Sequence, residues 1–117
     1  MRSMLVWTLI AAALGATAVR AAEAPVIDGF ERGREVWAGT CQLCHAEPAT
    51  GAPQIGDAKA WAPRIEKGKP TLYTHALTGF TGPLGDEMPA RGANDDLSDE
   101  DVKAAVDYMV AAAQQKR

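Results

Sequence analysis

The stretch that decides the fold is Cys41-Gln42-Leu43-Cys44-His45, a C-x-x-C-H sequence that contains both cysteines of the 117-residue chain. Residues three apart on a helix lie on one side of a turn, so the two thiols can reach a single flat ring. The pattern is typical of covalent haem attachment, in which each thiol adds to a vinyl group of the porphyrin. The histidine that follows is then held beneath the iron. We therefore predict one haem c bound through Cys41 and Cys44, with His45 as the proximal iron ligand.

Three other uses of the cysteine pair have less support. A thioredoxin-type redox pair belongs in a βαβ pattern, and the sequence shows no such pattern. A structural zinc site needs four ligands, and no cysteine remains outside the motif. A simple disulfide is the third alternative. The adjacent histidine and the export segment described below favour haem over all three.

The iron of such a haem needs a sixth ligand, and three downstream side chains could supply one. Met109 recurs with the apolar positions of the last predicted helix, which indicates a core residue. His75 lies off the apolar face of its helix, so we expect it to be solvated. Met88 falls in an irregular loop directly before Pro89, which stiffens the chain. We therefore predict iron ligation by Met88, with His75 or an open site as the alternatives.

The predicted ligand set points to electron transfer. A thioether is soft and favours Fe(II), which raises the reduction potential, and an iron with six ligands has no position for a substrate. We therefore expect a carrier of single electrons, not an enzyme. The alternatives are a haem enzyme or gas sensor with an open sixth site, and a dedicated cytochrome subunit of a larger oxidoreductase.

The first half of the domain has helical spacing of its apolar residues. Asp28 followed by Glu31 is typical of a helix N-terminus, and the helix should run through the cysteine motif with Gly33 on its buried face. Residues 46–58 are rich in Gly and Pro and predict a loop. A short helix should begin at Trp61.

The second half continues in the same way. Pro70 fits the first turn of a helix that Gly79 should end, and residues 79–95 predict a second loop. Ser98 with Asp101 predicts the cap of the C-terminal helix. No strand pattern appears. The predicted fold class is all-α, with short helices and long loops wrapped around one covalently bound haem.

Several motifs resemble those of the class I cytochromes c, and among them the bacterial cytochrome c-five type. The likeness covers nearly all of residues 30–110. The motifs are Gly33-x-x-x-Trp37-x-x-x-Cys41-x-x-Cys44-His45, Gly51-Ala52-Pro53, Trp61-x-Pro63-Arg64-Ile65, Met88-Pro89-Ala90-Arg91-Gly92 and Leu97-Ser98-Asp99-Glu100-Asp101-Val102, with Tyr108 in the last helix. The resemblance implies a monohaem protein with the cytochrome c fold.

The resemblance also implies roles for residues outside the cysteine motif. Gly33 and Trp37 would cross the last helix near Tyr108. The carbonyl of Pro53 would accept the N–H of His45, which orients the ring and raises its basicity.

Three further residues, Trp61, Arg64 and Tyr73, would lie near the haem propionates by the same resemblance. The alternative is plain core packing for Trp61 and Tyr73 and a solvated charge for Arg64. One departure is clear: many members of the type carry a second cysteine pair near the C-terminal helix, and residues 92–96 contain none. No disulfide is therefore expected.

The N-terminal segment is typical of a secretory signal peptide. The run Leu5–Val19 is apolar or small except for two threonines, and its 15 residues are short for a membrane span, which needs ~20. Residues 1–21 are therefore predicted to be cleaved, with a second possible site after Ala24. Residues 22–117 would form the cytochrome c domain, exported to the periplasm.

The charge of the chain argues against nucleic acid as a partner. Removal of residues 1–21, with Arg2 and Arg20, would change the formal net charge from −3 to −5, whereas phosphate binding needs a basic surface. An acidic protein suits docking on a basic patch of a partner. The expected partners are membrane or periplasmic oxidoreductases that donate and accept electrons, and we expect a monomer.

Overall fold

The computed structural model describes residues 24–115, and the predicted signal segment, residues 1–21, lies outside them. Within the described residues the elements are α1 Glu31–Val36, a π-helical turn Trp37–Cys41, α2 Gln42–His45, a 3-10 turn Pro48–Thr50, α3 Ala58–Ile65, α4 Lys69–Thr78, β1 Phe80–Thr81, β2 Glu87–Met88, a 3-10 turn Ala90–Ala93 and α5 Asp99–Ala113. None of the helices in this part of the chain is long and apolar enough to cross a bilayer. The mostly helical architecture confirms the predicted fold class.

The first helical stretch begins later than predicted. Phe30, and not Asp28, is the N-cap residue of α1, and no side chain caps this helix. Gly29 has a φ of +84°, which a right-handed helix cannot include. The carboxylate of Glu31 instead accepts the N–H of Gly29 at 3.0 Å. The stretch then runs through the cysteine motif as predicted, but with a π-helical turn at residues 37–41 that the sequence did not indicate.

α1 and α5 cross at Gly33. A Cβ atom on residue 33 would lie 2.2 Å from the carbonyl oxygen of Ala104, so only glycine permits this approach. One turn further along, the rings of Trp37 and Tyr108 meet edge to face with their centroids 6.1 Å apart. The crossing implied by the family resemblance is therefore confirmed.

α5 lies at the centre of the core, with an apolar cluster on each side. The buried members of the first cluster are Trp37, Trp61, Tyr108, Met109 and Ala113, and those of the second are Ala76, Val102, Val106 and Val110. Met109 is only 2% exposed, which confirms its prediction as a core residue. Burial of this stripe is the main stabilising contribution of the C-terminal helix.

The ends of the later helices agree with the predictions in most places. Pro70 lies in the first turn of α4 and Gly79 at its end, and the Ser98 hydroxyl caps α5 by accepting the N–H of Asp101 at 3.1 Å. α3 begins at Ala58, earlier than predicted, because Asp57 caps it.

The prediction that the domain contains no strand is wrong within residues 79–95. Phe80 pairs with Met88, and Thr81 with Glu87, in a short antiparallel ribbon. The Gly82 N–H donates to the carbonyl of Asp86 at 2.7 Å and closes the connecting turn. Strands of two residues are too short to produce an alternating pattern, so the sequence indicated only a loop.

Candidate haem site

The two cysteines lie in one helical stretch, with Cys41 at the end of the π-helical turn and Cys44 in α2. Both are free thiols; Cys41 is half-buried and Cys44 is exposed. Burial raises the pKa of the Cys41 thiol to about 11, so this thiol stays protonated at neutral pH. The helix therefore presents two unpaired thiols three residues apart, as attachment to one ring requires.

His45 is the most constrained of the predicted site residues. Its side chain is 6% exposed, and its Nδ1 lies 2.8 Å from the carbonyl oxygen of Pro53. Because a carbonyl only accepts, Nδ1 carries the proton and Nε2 keeps a free lone pair. Burial lowers the pKa of His45; the hydrogen bond to Pro53 opposes this shift and the charge of Arg64 adds to it. The imidazole is thus neutral, as a metal ligand must be.

The loop after His45 is held by a side chain that the sequence analysis missed. Gln54 donates from Nε2 to the carbonyl of Ala52 at 2.8 Å and lies 3.2 Å from that of Cys44. The carbonyl of His45 accepts the N–H of Ile55 at 2.8 Å. These bonds fix the position of the Pro53 carbonyl next to the imidazole of His45. The only available signal was a polar residue inside the Gly- and Pro-rich loop.

Trp61 supports the same loop from α3. Its indole Nε1 donates to the carbonyl of Gln54 at 2.9 Å, and its ring lies 6.0 Å from that of His45, tilted by 30°. The side chain is 4% exposed. The structure thus places Trp61 in the core and in contact with the surroundings of His45.

Arg64 and Tyr73 lie in different surroundings. Arg64 donates to the carbonyl of Ala60 in its own helix at 2.6 Å and acts on His45 through its charge. The hydroxyl of Tyr73 donates to the carboxylate of Asp107, on the contact between α4 and α5. This bond raises the pKa of Tyr73 to about 12. The structure brings Arg64, but not Tyr73, into interaction with His45.

Met88 is the second residue of β2 and is half-buried. It lines a small cleft together with Cys41 and with residues of α5, namely Val102, Ala105, Val106 and Met109. The structure therefore brings the candidate thioether ligand and one attachment thiol to the same apolar cleft.

His75 was expected to be solvated, and the structure agrees only in part, because the side chain is half-buried. Its ring stacks on Phe80 with centroids 4.0 Å apart. His75 is not among the residues that line the cleft, which leaves Met88 as the better placed of the two candidates.

The donor set fits a covalently bound haem. Two free thiols, one imidazole nitrogen with a free lone pair and one thioether are the groups that such a haem takes from a protein. In residues 24–115, no three His, Cys, Asp or Glu side chains lie close enough together to hold a bare metal ion. The arrangement of thiols, imidazole and thioether therefore suits iron inside a porphyrin.

Comparisons with known proteins agree with this chemistry. The sequence model of the family described as cytochrome c oxidase, cbb3-type, subunit III matches residues 28–109. Cytochrome c-555 of Chlorobaculum tepidum is 44% identical over 78 residues, which cover 67% of this chain and 71% of that protein. Cytochrome c5 of Azotobacter vinelandii is 34% identical over 83 residues, which cover 69% of this chain and 94% of that protein.

A solved structure is also similar. It is one chain of a solved structure described as "Crystal structure of electron transfer complex of nitrite reductase with cytochrome c". That chain is 33% identical in sequence to this one, and the two superpose with a TM-score of 0.62. The match covers 72% of this chain and 96% of that one. The chain therefore belongs to the c-type cytochrome family whose sequence model is described as cytochrome c oxidase, cbb3-type, subunit III. It is a class I monohaem cytochrome that carries electrons with one covalently bound haem c.

Proposed function

We propose that the chain carries single electrons between oxidoreductases of the bacterial periplasm, with Cys41 and Cys44 attached to the haem and His45 and Met88 as the iron ligands. The haem supplies the Fe(II)/Fe(III) couple when it is bound. The observation that carries the proposal is the state of His45. It is buried and hydrogen-bonded at Nδ1, so that only Nε2 is free to bind a metal.

The residues around this site orient the ligand and exclude water. The carbonyl of Pro53 fixes the plane of the imidazole and raises its basicity, and Trp61 holds the loop that contains Pro53 through Gln54. The side chains of α5 make the wall of the cleft apolar. An apolar wall favours the less charged oxidation state, and together with a thioether ligand it supports a high reduction potential.

The surface near the site supports transient docking on another protein. Leu43, between the two cysteines, is 74% exposed, and Leu84, in the turn before Met88, is 89% exposed. Such exposed apolar side chains can form the dry centre of a small, short-lived interface. We propose that the protein is a monomer that meets its partners in this way.

Charge supports the choice of partner. Glu47 follows the cysteine motif, Asp86 and Glu87 precede Met88, and all three are exposed. An acidic rim speeds encounter with a basic patch. The structurally similar cytochrome c was crystallised in an electron transfer complex with nitrite reductase, which supports oxidoreductases as the class of partner.

We place the signal cleavage after Ala21 because the fold uses the residues that follow. Arg34 donates from Nε to the carbonyl of Ala24 at 3.3 Å. The buried hydroxyl of Tyr108 donates to the carbonyl of Pro25 at 2.8 Å. Cleavage after Ala24 would remove the first acceptor and put a charged terminus beside the second. The intact mass of the exported protein should correspond to a chain that begins at Ala22, and a chain that begins at Pro25 would refute this placement.

A dedicated subunit is the second candidate, favoured by the family description, which names an oxidase subunit. Purification from the native membrane and soluble fractions separates the two. A free carrier appears alone in the soluble fraction, whereas a subunit remains with a larger oxidoreductase through gel filtration.

A redox titration with rapid kinetics tests the carrier function. The haem should titrate with the slope of a single electron, and its reduction by an oxidoreductase with a basic docking surface should slow as ionic strength rises. A rate that does not depend on salt would remove the acidic rim from the docking proposal. A titration with more than one electron would contradict the carrier function itself.

A further inference from the structure

The segment directly after Met88 has an unusual backbone. Arg91, Gly92 and Ala93 have φ values of 56°, 61° and 64°, so three consecutive residues are left-handed. Residues with a side chain avoid this region because Cβ comes too close to the following carbonyl oxygen. Two of the three are not glycine, so this turn persists only where neighbouring groups hold it.

The first group that holds the turn is Thr40. This residue is 7% exposed and directly precedes Cys41 in the π-helical turn. Its hydroxyl accepts a hydrogen bond from Nδ2 of Asn94 at 3.0 Å. A Cβ atom on Gly92 would lie 2.9 Å from Cγ2 of Thr40, so the backbone of the turn lies directly against this side chain.

The second group is Arg91 itself. Its Nη1 donates to the carbonyl of Leu97 at 2.9 Å, and its Nη2 forms an ion pair with Asp99 at the start of α5. The turn is thus attached on one side to the helix that carries the cysteines and on the other to α5. Met88 lies only three residues before Arg91, so a displacement of the turn would move the thioether.

We propose that Thr40 is a positioning residue for Met88. Through Asn94 and Gly92 it holds the left-handed turn against the haem-attachment helix, and so sets how readily the thioether leaves the iron. The inference rests on the proposed ligation by Met88. When the Thr40–Asn94 hydrogen bond is lost, the strained turn can relax, and the fraction of protein without the Met88 bond should rise.

Imidazole is a suitable probe, because it binds the ferric haem only where Met88 has left. Its apparent affinity therefore reports the fraction of open protein. Thr40→Val keeps the shape and removes the hydroxyl, and Asn94→Ala removes the donor. Each should tighten imidazole binding about fivefold, the effect of one side-chain hydrogen bond, and the double variant should add little to either.

Two further variants complete the design. Thr40→Ser restores the hydroxyl and should return imidazole affinity toward the parent value. Thr74→Val removes an exposed hydroxyl on α4 that bonds only within its own helix, to Pro70, and should leave imidazole binding unchanged. Denaturant unfolding of the same holoproteins shows whether a variant acts on the turn or on overall stability. A variant that acts on the turn changes imidazole affinity more than it changes the free energy of unfolding, and Thr40→Ser restores that affinity.

The outcomes separate the two proposals. The role of Thr40 is overturned if Thr40→Val and Asn94→Ala both bind imidazole with the same affinity as Thr74→Val. It is also overturned if the effects of the two single variants on imidazole affinity simply add in the double variant. A parent protein that already lacks the far-red absorption band of an iron–thioether bond overturns ligation by Met88, and the positioning role with it. A parent with the band, variants with tighter imidazole binding and a non-additive cycle establish both.

Discussion

Gly33 and Ala104 approach so closely that a Cβ atom on residue 33 would lie 2.2 Å from the Ala104 carbonyl oxygen. The same Cβ would lie 2.8 Å from Cβ of Tyr108, so both backbone and side chain of α5 occupy the space. This contact fixes the distance between α5 and the helix that carries the cysteines, and with it the width of the site between them.

Gly33→Ala should therefore separate the helices and destabilise the holoprotein by about 1 to 3 kcal/mol, as overpacking does. Gly39→Ala is the matched control, because a Cβ there would meet nothing within 4 Å. The free energy of unfolding in urea measures both. Equal stability of the two variants would show that the helices can part without cost.

Trp61 and Trp37 are both buried, but only one has a hydrogen-bonded indole. The Trp61 N–H donates to Gln54, whereas the Trp37 Nε1 has no partner within residues 24–115. Trp61→Phe removes one of the two hydrogen bonds that the Gln54 carbonyl accepts, since the N–H of Asp57 also donates to it at 3.1 Å, and should cost about 0.5 to 1.5 kcal/mol more than the packing loss alone. Trp37→Phe should show the packing loss only. A larger loss for Trp37→Phe in the same urea titration would contradict the assigned bonds.

Tyr73 should make stability depend on pH in the alkaline range. Its hydrogen bond to Asp107 is the main reason that its pKa rises from 10.0 to about 12. A raised pKa means that the folded state holds the proton more tightly, so the contribution is complete below pH 10 and is lost as pH rises to about 12. Tyr73→Phe should remove this part of the pH dependence. An identical pH profile of unfolding for parent and variant would refute the bond.

Met88→Ala should keep the covalent haem, because the thioethers do not involve residue 88. The reduction potential should fall by on the order of 0.1 V, within the roughly 0.8 V that axial ligands control, and the ferrous protein should bind carbon monoxide. Val110→Ala is the control: this buried side chain of α5 is not among the residues that line the cleft, and its replacement should leave the potential unchanged. A potential that does not respond to Met88→Ala would exclude this residue as a ligand.

The parts of the site that could be predicted are those encoded by neighbouring residues. The C-x-x-C-H spacing, the Met88-Pro89 pair and the Ser98 cap each need only a few consecutive positions. The bond between His45 and Pro53 followed from the family resemblance and is present in the structure. Ligation by Met88 remains a prediction, as does the signal segment.

The features that were missed depend on distant or competing contacts. Thr40 and Asn94 are 54 positions apart, and no local pattern joins a threonine before a cysteine to an asparagine near the last helix. Asp28 failed as a cap because the left-handed Gly29 separates it from α1. The ribbon of Phe80 with Met88 is too short to show the period of a strand.

The most direct test of the account is the visible absorption spectrum, oxidised and reduced, of the protein produced in a periplasm with a haem-attachment system. We predict covalent haem, sharp low-spin bands on reduction and the weak far-red band of an iron–thioether bond in the oxidised state. A high-spin spectrum would contradict ligation by His45 and Met88 together. A chain without covalent haem would contradict the roles of Cys41 and Cys44, and with them the function as an electron carrier.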